Sequence, residues 1–364
     1  MKSFYNKKTM SIIVLFIIAI LLAFCFILNY FSTDILEKDE SDNIQPAEED
    51  IIISDDKEDV REVEHEQNIT EDSIKPNELG KVMIIMYHDI SKTEGEWSRH
   101  YDNFRQDLET FYEKGYRLIS IKSFLDNDIN IPRGCSPMIL TFDDGTRGQL
   151  NFIEDENGNL IVDPLCAVSI IEQFNKKYPD FGTSAVFYIN YPVPFGQIEY
   201  IRQKLDYIIS KGMDIGNHTF NHAKLGKLSK EEVEKEIALH KKRTLEYLEG
   251  YELDTLALPY GNSSKQNIDY IISGEYDGIE YHNRGILLVG AEPALSPVHK
   301  DFDPLKMPRI RGSQMYIDKW LKYFEENPSE KYVSDGKSDT ITIPQSLEED
   351  IDLQKIDGKK LVIY

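Results

Sequence analysis

Short apolar runs recur through the chain after residue 80, and they constrain its fold more than any other feature. Runs of this kind occupy 82–88, 118–121, 138–142 and 185–189. An apolar run of about four to eight residues is typical of a strand that is buried on both faces. Apolar residues at helical spacing separate some of these runs, as at 104–116. The alternation predicts an α/β fold with an inner parallel sheet or barrel.

The clearest helix signals follow Leu228. Ser229 and Glu232 have the spacing of a capping box, in which each side chain bonds the backbone of the other residue. Gly250 is typical of a position just after a helix. The sequence therefore predicts a helix between these signals. The residues expected to face the core are Val233, Ile237, Leu245 and Leu248.

An uncharged apolar segment at 11–28 follows three basic residues, Lys2, Lys7 and Lys8. It is long enough to cross a bilayer, which takes about 20 apolar residues. The preceding lysines place the N-terminus in the cytoplasm by the positive-inside rule. We expect residues 1–31 to form a single-pass signal-anchor that leaves the rest of the chain extracytoplasmic. A cleaved signal peptide is the alternative.

Acidic residues dominate the next segment, 32–79, which holds 18 Asp and Glu against four Lys and Arg. Such a composition predicts a disordered stalk. With a net charge of −23 for the whole chain, nucleic acid is excluded as a general partner, because binding phosphates requires clustered Lys and Arg.

We place a catalytic domain at 80–315 and a C-terminal extension, packed on or next to it, at 316–364, and we expect a monomer.

Two adjacent carboxylates, Asp143 and Asp144, end the apolar run at 138–142. Parallel barrels place their chemistry at the C-terminal ends of strands. Neighbouring side chains at such an end point in different directions, so one carboxylate can face a metal ion while the other faces the attacking water. In isolation, an Asp-Asp-Gly sequence is more often a solvated turn.

His218 and His222 are four residues apart, a spacing that a helix face or a tight loop can bring to one ligand. Gly216 and Asn217 predict a turn where the apolar segment around 213–215 ends. One carboxylate and two neutral imidazoles can hold a divalent ion with open positions for water and substrate. These motifs predict a metal-assisted hydrolase, whereas a coincidental pair on a surface helix is the alternative.

The two motifs, together with Pro259-Tyr260-Gly261, resemble those of the polysaccharide deacetylases, also known as carbohydrate esterase family 4 or NodB-homology enzymes. Met86-Tyr87-His88-Asp89 resembles the first strand of the branch that acts on poly-N-acetylglucosamine. The resemblance covers residues 81 to about 312. It implies a distorted (β/α) barrel of the NodB-homology type. It also implies removal of N-acetyl groups, with acetate release, from an extracellular N-acetylhexosamine polymer such as peptidoglycan, poly-N-acetylglucosamine or a chitin-like glycan.

The resemblance also implies roles for the motif residues. Asp143 is expected to be the general base, while Asp144, His218 and His222 are expected to bind the metal. The ligand types favour Zn²⁺, with Co²⁺, Ni²⁺ or Fe²⁺ as alternatives. The backbone N–H of Tyr260 is expected to stabilise the oxyanion. We expect Pro259 to shape the substrate-binding loop.

Two parts of the family pattern are missing from this sequence. Many members have an Arg before the third-motif Pro, where this chain has Ala257 and Leu258; Arg309 or Arg311 can replace it, and we assign Arg309 to the catalytic set. The family's C-terminal His is also absent, since no His follows His299. The candidates for the general acid are His88, His282 and His299. We assign His88 to the rim of the substrate pocket and leave the acid unassigned.

Two rival functions remain open. One is an O-acetyl esterase acting on xylan or a cell-wall sugar, and the other is a catalytically inactive surface protein that binds carbohydrate.

Elsewhere in the chain, Cys135 and Cys166 are expected to be unpaired thiols, although a disulfide between them is an alternative. The oxygen-rich loop at 155–159 favours a solvated hairpin over a Ca²⁺ site, because the Glu that closes an EF-hand loop is missing.

Overall fold

The computed structural model describes residues 75–261 and 266–364. The predicted membrane anchor, and the predicted stalk up to residue 74, lie outside the described residues. Among the described helices, none is both long and apolar enough to cross a membrane.

An eight-stranded parallel sheet forms the centre of the described chain, which confirms the predicted α/β fold. Its path runs β13-β10-β9-β8-β5-β1-β14, and β4 pairs with the N-terminal part of β5. The strands are β1 (Met83–Tyr87), β2 (Asp89–Ser91), β3 (Ser98–His100), β4 (Tyr116–Leu118), β5 (Ser136–Asp144), β6 (Phe152–Glu154), β7 (Leu160–Val162), β8 (Ala185–Ile189), β9 (Asp214–Asn217), β10 (Thr255–Ala257), β11 (Ser273–Tyr276), β12 (Ile279–His282), β13 (Gly285–Leu287), β14 (Ile310–Arg311), β15 (Thr340–Ile343) and β16 (Lys360–Ile363).

One short segment joins the two edges of this sheet. Leu287, at the end of β13, forms a parallel bridge with Met307. Three residues later, Ile310 lies in β14, the strand at the opposite edge, and pairs with Ile85 of β1. The sheet is therefore curled, and the segment 307–311 connects its edges in the manner of a distorted barrel.

Alternate residues of the strands face two different cores, which explains why the strands are continuous apolar runs. In β8, Phe187 and Ile189 pack into the outer core beneath the helices, while Val186 and Tyr188 pack into the inner one. All five residues of this strand are buried. Burial on both faces favours β-branched and aromatic residues at every position, and it removes the polar alternation of a one-sided sheet.

Seven α-helices are present among the described residues, and those over the outer core bury one apolar face each. His100 caps the first helix by accepting a bond from the backbone N–H of Asp102, so this helix begins three residues before the predicted start. The predicted capping box of Ser229 and Glu232 is confirmed. Of the predicted inward residues in that region, Leu245 is only half-buried. The helices are α1 (Tyr101–Glu113), α2 (Ile121–Leu125), α3 (Ala167–Lys177), α4 (Ile201–Ser210), α5 (Lys230–Tyr247), α6 (Ile268–Ile272) and α7 (Gln314–Glu326).

The C-terminal segment is tied to the start of the described chain. The carboxylate of Glu78 accepts hydrogen bonds from the backbone N–H of Thr342, at 2.7 Å, and of Asp335, at 3.3 Å. Strands β15 and β16 form a separate two-stranded parallel sheet. Helix α7 packs into the outer core and spans the predicted boundary at residue 315, so the division into a catalytic domain and an extension stays a prediction.

The loop at 155–159 connects β6 and β7 in an antiparallel hairpin, as predicted. Both oxygens of Asp155 accept hydrogen bonds inside the loop, from the backbone of Asn157 and from the backbone and side chain of Asn159. The carboxylate therefore stabilises the turn.

Cys135 and Cys166 are unpaired, as the sequence predicts.

Candidate active site

The C-terminal ends of four parallel strands meet at one cavity of about 560 Å³. Strand β1 ends just before His88, β5 ends at Asp143 and Asp144, β9 ends just before His218, and the loop after β10 carries Tyr260. Because parallel strands all end at the same edge of the sheet, residues far apart in sequence become neighbours here. The residues that line the cavity are His88, Trp97, Asp143, Asp144, His218, His222, Tyr260 and Val289.

The backbone around the cavity is held in unusual conformations. Asp144, Thr219, His222 and Tyr260 all have positive φ angles, between 55° and 76°. Residues other than glycine rarely adopt this left-handed region, because the Cβ atom meets the backbone. Such conformations persist where the surrounding fold imposes them, and they concentrate at functional sites. Here they turn side chains into the cavity directly after the strands end.

Asp144, His218 and His222 form a cluster with the chemistry of a metal site. The Nε2 atoms of His218 and His222 lie 3.4 and 3.3 Å from Oδ1 of Asp144. This buried Oδ1 has no hydrogen-bond partner among the described residues. An unpaired buried carboxylate oxygen is unfavourable unless a cation compensates it. The three side chains therefore fit a divalent cation.

The hydrogen bonds and charges around the cluster keep both imidazoles available as ligands. Nδ1 of His218 lies 2.8 Å from the carbonyl oxygen of Ala257, so a proton on Nδ1 leaves the lone pair on Nε2. Burial and the nearby His218 lower the pKa of His222, which favours its neutral, ligating form. Burial opposes ionisation of Asp144, but the neighbouring His218 outweighs it and keeps the pKa of Asp144 below its usual value.

Asp143 belongs to a separate ion pair. Arg309 donates two hydrogen bonds of 2.7 Å to it, one to each carboxylate oxygen, and both side chains are buried. Burial alone would raise the pKa of Asp143, but the Arg309 guanidinium outweighs burial and holds it well below the usual range. The guanidinium also donates to the backbone oxygen of Leu288 and to the hydroxyl of Thr141. The strand end thus carries one ionised carboxylate paired with Arg309 and another facing two imidazoles.

The remaining predicted residues divide between the cavity and other parts of the fold. His88 lies in the cavity wall, with its ring 4.6 Å from that of Trp97. Arg311 does not contact Asp143; its guanidinium stacks over the Trp97 ring at 3.9 Å. His282, on β12, and His299, which forms a bridge with Ile351, are not among the residues that line the cavity.

Pro259 and Tyr260 occupy a tight turn after β10. Pro259 is buried, whereas the Tyr260 side chain is 56% exposed and packs beside His222, with 4.7 Å between ring centres. The ammonium of Lys224 lies 4.2 Å from the centre of the Tyr260 ring. This turn therefore brings Tyr260 to the cavity beside His222.

Residues 130–278 match the family model described as polysaccharide deacetylase. The segment 130–278 therefore belongs to the polysaccharide deacetylase family, as its sequence motifs predict. It is accordingly a hydrolase of the deacetylase class. The matched segment contains Asp143, Asp144, His218 and His222, whereas Arg309 comes from the chain beyond it. No curated protein sequence matches the chain.

Several solved structures are similar to this deacetylase. BC0361, a polysaccharide deacetylase from Bacillus cereus, is 18% identical over 66% of this chain and 68% of that chain, with a TM-score of 0.48. The deacetylase PplD of Streptococcus pyogenes, in complex with acetate, is 19% identical over 66% of this chain and 97% of that chain, with a TM-score of 0.48. IcaB from Ammonifex degensii is 14% identical over 67% of this chain and 97% of that chain, also with a TM-score of 0.48. At these values the similarities assign no residue roles.

Sequence reasoning missed two residues that line the deacetylase cavity, Trp97 and Val289. Trp97 is 44% exposed although it is among the largest apolar side chains. The sequence does indicate that Trp97 is exposed, because the polar segment 94–98 offers few apolar neighbours to bury a tryptophan. By contrast, other aromatic residues pack in the protein interior: Tyr191, Phe195 and Tyr281 are buried, and Tyr200 packs against the outer core.

Proposed function

We propose that this deacetylase removes N-acetyl groups from an extracellular N-acetylhexosamine polymer in a metal-dependent reaction that releases acetate. One observation carries the proposal. A single cavity contains an ionised carboxylate paired with Arg309 and, next to it in sequence, a second carboxylate that faces two imidazoles. Hydrolysis of an amide needs both a base for water and an electrophile for the carbonyl group, and this arrangement supports both.

Asp144, His218 and His222 are the proposed metal ligands. Tetrahedral bonds of about 2.0–2.1 Å separate neighbouring ligand atoms by about 3.3–3.4 Å. The Nε2–Oδ1 distances of 3.3 and 3.4 Å in this cluster agree with that separation. Zn²⁺ is therefore the proposed ion, with Co²⁺, Ni²⁺ and Fe²⁺ as alternatives. A bound ion supplies Lewis-acid polarisation of the acetyl carbonyl group.

Asp143 is the proposed general base. The guanidinium of Arg309 keeps the carboxylate ionised and fixes its plane through two hydrogen bonds. Each carboxylate oxygen keeps a further lone pair, so Asp143 can still accept a proton from the attacking water. Because Arg309 sits on the segment that joins the sheet edges, closure of the sheet and orientation of the base depend on the same few residues.

The backbone N–H of Tyr260 is the proposed oxyanion donor. The left-handed conformation of this residue, after the buried Pro259, fixes the peptide plane before substrate arrives. Fixed donors are effective because they need no reorganisation when charge develops on the carbonyl oxygen. Trp97 and the exposed Tyr260 ring are proposed to contact the sugar ring, since aromatic faces pack well against the apolar face of a pyranose.

His88 is the proposed proton donor to the leaving amine. Of the cavity-lining side chains that transfer protons readily near neutral pH, it is the histidine outside the proposed metal cluster. Burial lowers the pKa of His88, and the nearby charges of Asp143 and Asp144 oppose that shift in favour of the protonated form. This role adds to the expected position at the substrate pocket, because the ring forms part of the cavity wall.

We further propose that residues 1–31 anchor the enzyme in the cell membrane and that the catalytic domain is extracytoplasmic, which is where such a polymer is found. The test is acetate release, measured with purified protein and one equivalent of Zn²⁺, from N-acetylglucosamine oligomers and, in parallel, from O-acetylated xylan. Release from the amide substrate with equimolar free amine supports the proposal. Release from xylan alone identifies an O-acetyl esterase, and binding without release identifies an inactive relative.

A further inference from the structure

Gln149 forms an unusual pair of contacts beneath the site. Its side chain is fully buried, and its amide nitrogen donates to the backbone oxygen of His88, at 2.6 Å, and to that of Asp143. Both neighbours are carbonyl oxygens, which only accept hydrogen bonds. The NH₂ group must therefore face them, and the amide orientation follows from its surroundings.

This orientation leaves Oε1 of Gln149 buried without a hydrogen-bond partner among the described residues. An unsatisfied buried acceptor is unfavourable, and proteins seldom retain one. Violations of this kind are expected where function demands a geometry that stability alone would not select. The contacts that Gln149 makes through its nitrogen lead directly to the proposed proton donor and the proposed base.

The pairing of β1 and β5 explains why such a bridge is needed. Their parallel ladder ends at the pair Tyr87 and Phe142. The next residues, His88 and Asp143, carry the chemistry but lie beyond the ladder. Gln149 bonds both of their carbonyl oxygens, so it continues the connection between the two strands where backbone pairing stops.

The same turn contacts β2, which begins directly after His88, at two further points. The hydroxyl of Thr146 donates to Oδ1 of Asp89 at 2.7 Å. Gly148 lies against the carbonyl oxygen of Ile90 so closely that a Cβ atom there would overlap it. The backbone oxygen of Gln149 accepts a bond from Val168 in α3, which fixes the base of its side chain. The turn is thus attached on one side to a helix and on the other to the strand end that bears the proposed donor.

We propose that Gln149 is a positioning residue that sets the separation between His88 and Asp143, an inference that rests on the proposed function of these two residues. Gln149 itself touches no substrate atom. It acts through the backbone, by holding two strand ends in the register that proton transfer requires. Displacements of about 1 Å in such arrangements can reduce turnover by about a hundredfold.

Gln149→Met tests this role, because Met has a similar length and shape but cannot donate. The chain offers a matched control in Gln197, which is also buried and exchanges two hydrogen bonds with the backbone of Phe152, at 2.9 and 3.0 Å, but does not line the cavity. We expect Gln149→Met to lower kcat about 10- to 100-fold while KM and bound Zn²⁺ per chain stay within about twofold. Gln197→Met is expected to keep kcat within about twofold, whatever its loss of stability.

The assay uses the full chain with N-acetylglucosamine pentamer and, separately, 4-nitrophenyl acetate. A folded, metal-loaded Gln149→Met with unchanged kcat, or an equal kcat loss in both variants, overturns the inference. If Gln149→Met does not fold, Thr146→Val decides: a smaller fall in kcat at constant KM supports the role, and an unchanged kcat overturns it. If the wild type cleaves only the aryl ester, the polymer assignment fails while the same comparison still tests Gln149. If the wild type cleaves neither substrate, both proposals fail.

Discussion

Replacing Arg309 with Met tests whether the proposed base depends on one buried cation. The guanidinium and the Asp143 carboxylate are both buried and share two bonds of 2.7 Å. Removing one partner of a buried pair destabilises a protein by about 3–5 kcal/mol, because the other charge remains buried and uncompensated. We expect Arg309→Met to lose about that much free energy of unfolding, and to lose acetate release because Asp143 is no longer oriented.

The double variant Arg309→Met with Asp143→Asn separates the charge effect from the loss of packing. If the two single substitutions acted independently, their losses of free energy of unfolding would sum to about 6–10 kcal/mol. In the double variant neither side chain of the pair is charged. The main remaining loss of stability comes from the Leu288 carbonyl oxygen and the Thr141 hydroxyl oxygen, which no longer accept hydrogen bonds from Arg309. We therefore expect a total loss of about 2–6 kcal/mol, from about 1–3 kcal/mol for each of these two unsatisfied acceptors.

Guanidinium chloride unfolding of the wild type, both single variants and the double variant provides the measurement. The four proteins must show the same denaturant slope, so that the differences in midpoint report stability alone. A double variant that is more stable than Arg309→Met would show that the charge on Asp143 is the main source of the loss. A double variant whose loss of stability equals the sum of the two single losses would show that an uncompensated buried charge is not their common cause.

Three further predictions concern the metal, the sugar and pH. Asp144→Ala is expected to bind no Zn²⁺ and release no acetate, whereas chelated wild type regains activity when Zn²⁺ is added back; regain by the variant would contradict the ligand assignment. Trp97→Ala is expected to raise KM for the oligomer about tenfold with little change in kcat, from the loss of about 1.4 kcal/mol of stacking; the control Trp320→Ala, at a tryptophan on α7 that does not line the cavity, is expected to leave both unchanged. His240 is fully buried, and burial lowers its pKa from 6.5 in the unfolded chain to about 3 in the folded protein. The unfolded state therefore binds a proton more readily, so the contribution of His240 to stability is fully present above pH 6.5 and is lost as the pH falls below that value. The free energy lost between pH 7 and pH 5 should therefore be about 2 kcal/mol smaller in His240→Gln than in the wild type; an equal loss in both proteins would show that His240 is not the source.

Burial explains why some elements could be predicted from the sequence closely. Strand β8 spans the predicted residues because each of its side chains is buried, so the apolar run and the strand coincide. The capping box of α5 is a local interaction of two side chains with nearby backbone, and it forms as its spacing predicts. The start of α1 differs because His100 provides a cap that apolar spacing does not reveal.

The closure of the sheet and the partner of Asp143 depend on contacts between distant parts of the chain. Nothing in the local sequence distinguishes Arg309 from Arg311, because residues two apart on an extended segment share the same face. In the structure, one of them faces the carboxylate and the other stacks on Trp97. Gln149 was missed for a related reason. Its contacts are with two backbone oxygens, which leave no motif in the sequence.

We propose that a metal held by Asp144, His218 and His222 and a base supplied by Asp143 together cleave an N-acetyl group. The most direct measurement compares the wild type with Asp143→Asn, each with its Zn²⁺ content determined, for acetate and free amine released from N-acetylglucosamine pentamer. We expect equal Zn²⁺ content in the two proteins, with acetate and amine released in equal amounts by the wild type alone. Full activity in Asp143→Asn, or in wild-type protein stripped of metal, would contradict it.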